Sequence, residues 1–174
     1  MRPILFVVLS ILLFTSACVQ PASTPSSITG RNPFTPEPVA PLCIAADLQV
    51  SSNAREDDGA VSLGITLINQ SGHTCNVQPP AQVSLLNGDQ PLDVQIVQTQ
   101  TDALPLKIAT GESIVLLLNW RNYCGEKLQN TLGLRLNLSA SETLTMTPDL
   151  PALPHCYDAK KPSTLTVSPY SYPP

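Results

Sequence analysis

Alternation between apolar and polar residues is the feature that most constrains the fold of this chain. Side chains along a β-strand point in turn to opposite faces, so a period of two places each set of apolar residues on one face. Each set therefore predicts a half-buried strand that contributes to a common core. The two clearest sets are Val61, Leu63, Ile65 and Leu67, and Leu132, Leu134, Leu136 and Leu138.

Other parts of the chain carry shorter runs of the same character. Residues 114–120 are more continuously apolar and predict a central strand, or one that is shielded on both faces. Turn residues separate the runs, among them Asn87-Gly88 and Asp57-Asp58-Gly59. The chain therefore favours an all-β domain, an antiparallel two-sheet sandwich with immunoglobulin-like topology. The remaining predicted strands are residues 45–50, 82–86, 92–98, 104–108, 143–146 and 164–167.

The first residues predict export and lipid anchoring. Arg2 precedes an apolar run over residues 4–14, which is shorter than the roughly 20 residues that span a bilayer. Residues 15–18 resemble the lipobox of bacterial lipoproteins, although that pattern prefers Leu where Thr15 stands. We expect residues 1–17 to be a lipoprotein signal peptide and Cys18 to carry a lipid at the outer face of the bacterial cell membrane. An ordinary secreted protein is the alternative.

Residues 18–41 form a segment rich in Pro, Ser and Thr with few apolar side chains. Such a composition buries too little apolar surface to offset the entropy of ordering, so we expect a disordered tether that begins at the lipidated Cys18. In extended form its 23 residues after Cys18 would reach about 70 Å, at ~3.1 Å per residue. Residues 42–174 have the size of one domain, and we expect the β-sandwich there.

Four cysteines remain if Cys18 is lipidated, and an even number in an exported chain predicts two disulfides. Three pairings are possible. An antiparallel hairpin would bring Cys43, at the start of the first predicted strand, close to Cys75, just after the second. We therefore favour a bridge from Cys43 to Cys75 and another from Cys124 to Cys156.

Two histidines keep a metal site open as an alternative. His73 and His155 each lie next to or near a cysteine, and imidazole and thiolate groups bind zinc or copper. No Cys-x-x-Cys pair is present, and the thiols would have to stay reduced. We therefore predict no metal and no cofactor, with His73 and His155 as weak candidates for a metal-handling envelope protein.

Three segments of the chain resemble a known family. Residues 68–92 contain Asn-x-Ser-Gly-x-Thr-Cys, residues 109–124 place Gly-Glu-Ser before an apolar strand that ends in Trp and Cys, and residues 153–170 follow a Cys with Pro-Ser-Thr-Leu-x-Val. In this order they resemble the bacterial family called domain of unknown function 4232. The resemblance implies an exported, often lipid-anchored β-sandwich with cysteines at these places and no settled activity.

The residues offer little support for catalysis. No Gly-x-Ser-x-Gly motif is present, so a hydrolase is a weak alternative. Nine basic against thirteen acidic residues give a net charge of −4, which disfavours binding to nucleic acid. Tyr123, Tyr157 and Tyr170 are the candidate binding aromatics, whereas Trp120 continues an apolar strand and is expected in the core. We expect a non-catalytic binding or structural module whose partner is an envelope protein or glycan.

Overall fold

The computed structural model describes residues 39–79, 82–128 and 130–174. The predicted signal peptide, Cys18 and nearly all of the predicted tether lie outside these residues. The described part is all-β except for one short 3-10 turn at Ala45–Asp47. Its strands are β1 (Leu48–Asp57), β2 (Ala60–Asn69), β3 (Cys75–Val77), β4 (Val83–Asn87), β5 (Gln90–Pro91), β6 (Gln95–Gln98), β7 (Leu106–Ile108), β8 (Ser113–Arg121), β9 (Leu132–Asn137), β10 (Thr143–Met146) and β11 (Thr164–Val167).

Two larger sheets form the sandwich. One has five strands in the order β1-β2-β8-β11-β6, and the other has four in the order β10-β9-β4-β5; a small ladder pairs β3 with β7. The predicted immunoglobulin-like sandwich is confirmed. Among the described strands, β6 and β11 are the one parallel pair, which the prediction of an antiparallel sandwich did not include. The last strand, β11, lies beside β8 as its antiparallel neighbour and so separates β8 from β6.

The core lies between the inner faces of the two larger sheets. Both predicted apolar sets are buried there, one on β2 and the other on β9 and the residue after it. The Trp120 ring is fully buried and its indole nitrogen donates to Ser163 Oγ over 2.8 Å. β8 is a central strand, as predicted, but only one of its faces is covered, because Leu117 is 56 % exposed. The outer face of the five-stranded sheet is therefore open to solvent at its centre.

Tight turns set the register of the first hairpins. Asp58 and Gly59 both have positive φ, at 49° and 68°, and they connect β1 to β2 as the two central residues of a type I′ turn. Gly88, at 63°, is the first central residue of the turn between β4 and β5. β1 extends to Asp57, well past the predicted boundary at residue 50. Its second half is polar and lacks an apolar alternation, but it pairs with β2 along its whole length.

The ends of β1 define two ends of the domain. At the proximal end, where β1 begins, Cys43 is bridged to Cys75. The backbone amide of Cys43 donates a hydrogen bond to the Asn76 carbonyl oxygen there. At the distal end, where β1 turns into β2, Cys124 is bridged to Cys156. These are the two pairs that the strand order favoured. The ten residues of β1 separate the two ends by about 30 Å, at ~3.3 Å per residue.

Candidate functional site

A single asparagine organises the loop at the distal end. Asn122 directly follows β8 with a positive φ of 55°, a backbone conformation that Asn adopts more readily than most residues. Its Oδ1 accepts from the backbone amides of Tyr157 and Asp158, both at 2.9 Å, and its Nδ2 donates to carbonyl oxygens of the same loop, including that of Lys161 at 3.0 Å. The loop over residues 157–161 is therefore fixed to the end of a central strand.

The β1–β2 turn holds the other side of this loop. The His155 backbone amide donates to the Gly59 carbonyl oxygen over 2.9 Å, and the Tyr157 hydroxyl donates to the carbonyl oxygen of Asp58. A side chain on Gly59 would overlap the Tyr157 hydroxyl, so glycine is required for this approach as well as for the turn. Tyr157 nevertheless stays 62 % exposed. Tyr157 thus presents its aromatic ring to solvent while hydrogen bonds fix the position of the residue.

Two concave surfaces meet at Arg121, the last residue of β8. A depression of about 510 Å³ at the distal end is lined by Arg121, Tyr157 and Lys161, among others. A groove of about 500 Å³ lies on the outer face of the five-stranded sheet and is centred on Leu117 and Asn119. The Arg121 Nε donates to Asn119 Oδ1 over 2.7 Å, which links the two surfaces. Both volumes lie in the range of small-molecule sites.

The other two candidate tyrosines have different surroundings. Tyr123 packs edge-on against Trp120 with ring centroids 5.1 Å apart, and its hydroxyl donates to the Glu126 carbonyl oxygen over 2.8 Å. Burial, together with the charge of Glu126, raises the pKa of Tyr123. Its ring mainly supports the distal loops and is only partly accessible.

Tyr170 does not belong to a binding surface, and the interpretation of it as a binding aromatic is wrong. Its side chain is 7 % exposed and lies in the core, and this burial raises its pKa. The reason is that Ser171 pairs with Val115 of β8, so the chain just before it is drawn against the sheet and the ring turns inward. Within the described residues, the Tyr170 hydroxyl has no hydrogen-bond partner.

The two histidines lie at opposite ends of the domain. His73 Nε2 is 3.9 Å from an Asp47 carboxylate oxygen at the proximal end, and His155 Nε2 is 3.6 Å from Glu56 at the distal end. They are therefore too far apart to bind one metal ion. In the described ranges, no three His, Cys, Asp or Glu side chains are grouped to hold a metal ion, and neither imidazole forms a hydrogen bond with a Ser or Thr hydroxyl.

Two asparagines that were not predicted as site residues organise the two ends of the domain. Asn69, in the Asn-x-Ser-Gly segment, is 0 % exposed; its Nδ2 donates to the His73 and Ile108 carbonyl oxygens and its Oδ1 accepts from Ser71. It holds the proximal loop as Asn122 holds the distal one. The available signal was position, because Asn69 ends the long apolar strand β2, Asn122 directly follows β8, and each precedes a cysteine by a few residues.

Comparison with known families decides the family of the chain. The sequence model of the family described as Domain of unknown function (DUF4232) matches residues 43–171, which include every described strand and both bridges. The chain belongs to the DUF4232 family. The resemblance seen in the three motif segments is thereby confirmed. In this DUF4232 domain, the segment with Asn-x-Ser-Gly contains Asn69, and the segment with the Trp-containing strand contains Asn122. No curated protein and no solved structure matches the chain.

Proposed function

We propose that this DUF4232 protein is an exported cell-envelope lipoprotein, anchored through Cys18 to the outer face of the bacterial membrane, that acts as a non-catalytic binding module. Its ligand-contacting region is the distal end of the sandwich. The two disulfides support export, because they persist in oxidising compartments. No helix in the part of the chain that the structure describes is long and apolar enough to cross a membrane.

The observation that carries the binding role is the construction of the distal end. Tyr157 is 62 % exposed although its hydroxyl and its backbone amide are both held. An exposed aromatic ring with a fixed position offers a large contact area at a small entropic cost on binding, and loops on a rigid scaffold commonly carry function. The described chain enters the domain at the other end of β1, about 30 Å from the distal end at ~3.3 Å per residue.

Anchoring is tested by fractionating bacteria that produce the full chain. In the unchanged protein we expect the domain in the membrane fraction, and in Cys18→Ser we expect it in the soluble exported fraction, because the thiol that receives the lipid is gone. The diacylglyceryl group on Cys18 would supply two acyl chains, which anchor stably where a single chain does not, so its loss should move most of the protein into the soluble fraction. Membrane association that persists in Cys18→Ser would refute the proposal that the protein is anchored by a lipid on Cys18.

Binding is tested by co-sedimentation of the full chain with detergent-extracted envelope fragments from the producing bacterium, which hold no lipid for the Cys18 anchor. Tyr157→Ala is expected to raise the apparent Kd at least about tenfold, as truncation of an aromatic anchor does. Tyr172→Ala is the matched control, since Tyr172 is 52 % exposed and its hydroxyl also donates to a backbone carbonyl, that of Lys107. Lys107 lies on β7 at the proximal end, so this variant should bind normally.

The binding role would be abandoned if the unchanged protein did not sediment with the fragments. The assignment to the distal end would be abandoned if the two tyrosine variants lost binding equally. Both variants should keep the melting temperature within a few degrees of the parent, because each loses one exposed ring.

A further inference from the structure

The groove on the outer face of the five-stranded sheet is lined by small polar side chains in register. Asn53 on β1 pairs with Gly64 on β2, which pairs with Leu117 on β8. Because Gly64 has no side chain, the middle of this row forms a depression in the sheet surface. A side chain at this position would overlap the Asn53 amide. The next row toward the distal end contains Arg55, Ser62, Asn119 and Thr166, which lie on adjacent strands.

Several polar groups in this groove are free to bind a ligand. The side chains of Asn53 and Thr166 form no hydrogen bond within the described residues, whereas Asn119 donates to Ser62 Oγ over 2.9 Å and so keeps its own amide fixed. Amide and hydroxyl groups can both donate and accept, which matches the dual character of sugar hydroxyl groups. Leu117, 56 % exposed at the centre, offers an apolar contact to the C–H face of a sugar ring.

Two guanidinium groups give the groove its charge. Arg55 lines it, and Arg121 stands beside it through its hydrogen bond to Asn119. In the described part of the chain neither forms an ion pair, although the protein carries a net charge of −4. No acidic side chain of the described residues lines the groove; Asp57 lies at the turn, and Asp58 and Asp158 line the distal depression beside Arg121. Unpaired arginines bind carboxylates with two parallel hydrogen bonds and fixed geometry.

We propose that this groove binds an acidic saccharide chain, one that carries a carboxylate on successive sugar units. β1 and β8 are two strand spacings apart, about 10 Å at ~4.8 Å per spacing, so the two arginines are placed to contact two separate anions. A chain of acidic sugars supplies repeated anions and many hydroxyl groups, whereas a single small anion supplies neither. The proposal rests on the binding role proposed above, extends its contact region from the distal end onto the groove that adjoins it at Arg121, and names the ligand class.

The experiment is titration calorimetry of the purified full chain with a short oligogalacturonate. Arg55→Gln and Arg121→Gln are each expected to raise the Kd about tenfold, since a charge-assisted hydrogen bond to the carboxylate is lost. Lys127→Gln is the matched control, because it removes a positive charge from an exposed loop that does not line the groove. Binding should weaken as salt is raised, since the contacts are exposed charges. The melting temperatures of all three variants should match the parent.

The same oligosaccharide with its carboxylates reduced to alcohols keeps the length and linkage and loses the charge. It should bind at least about tenfold more weakly, as each guanidinium then lacks an ionised acceptor. Equal binding of the reduced oligosaccharide, equal binding of inorganic phosphate, or unchanged affinity in both arginine variants would overturn the proposal. Envelope fragments that still retain the protein while oligogalacturonate does not bind would reject this ligand class alone and leave the binding role standing.

Discussion

The proximal and distal ends of this domain use the same parts in opposite surroundings. Each has a disulfide between cysteines 32 residues apart and an asparagine that holds a loop. At the proximal end Cys43, Cys75 and Asn69 are 3 %, 0 % and 0 % exposed. At the distal end both bridged cysteines are exposed and Asn122 is only half-buried.

This difference in burial indicates that the two disulfides have different structural roles. The proximal bridge packs into the core and joins β3 to the chain just before β1, so it stabilises the sandwich itself. The distal bridge lies on the surface and connects two loops beyond β8 and β10, so it holds a shape that faces solvent. An exposed loop needs such a constraint to keep one conformation, because few apolar contacts restrict it.

The largest expected effect comes from removing each bridge in turn. Loss of the constraint on the unfolded chain should lower the free energy of unfolding by a similar amount at both ends, about 3–4 kcal/mol, because the enclosed loops have equal length. The double variant Cys43→Ala, Cys75→Ala should cost about 1–2 kcal/mol more, since it also leaves a cavity in the core. Urea unfolding of Cys43→Ala, Cys75→Ala and of Cys124→Ala, Cys156→Ala measures both free energies of unfolding.

Stepwise reduction of the unchanged protein checks the same comparison without mutation. The exposed Cys124–Cys156 bridge should react with a small thiol first, because attack requires access to a sulfur. Equal losses of stability in the two double variants, or earlier reduction of Cys43–Cys75, would show that burial does not distinguish the two bridges.

A smaller effect is expected at one tyrosine of each end. Tyr170 lies toward the proximal end with a buried hydroxyl that lacks a partner among the described residues, whereas the Tyr157 hydroxyl is bonded to Asp58. Tyr170→Phe should therefore raise the free energy of unfolding by about 1 kcal/mol, and Tyr157→Phe should lower it by about 0.5–1 kcal/mol. Thermal and urea unfolding of the two variants would give opposite signs, and the comparison fails if the signs agree.

Much of the fold followed from patterns that act over a few residues. The leucine set on β9, the alternation on β2 and the Asp58-Gly59 turn are local, and the structure has each of them as expected. The second half of β1 was missed because its residues are polar. It becomes a strand through backbone pairing with β2, and pairing between distant residues leaves no periodic signal in the sequence.

The candidate site was much less predictable. Tyr157 was predicted as a candidate binding aromatic, but nothing in the sequence distinguished its exposed ring from that of Tyr170, which is buried. The groove was not found at all, because Arg55, Asn119 and Thr166 come from three strands far apart in the chain. Isolated polar residues on strands are ordinary, and they form a surface only once the strands are in register.

The chain alone therefore settles its strand class, its turn positions and its DUF4232 motifs, since each depends on neighbouring residues and on the intrinsic preferences of Asn, Gly and β-branched or leucine-rich runs. Tertiary structure decides which bridge is buried, which tyrosine faces solvent, and that His73 and His155 lie at opposite ends. Those outcomes depend on strand order and on the insertion of β11 beside β8, which are set by the packing of the whole core.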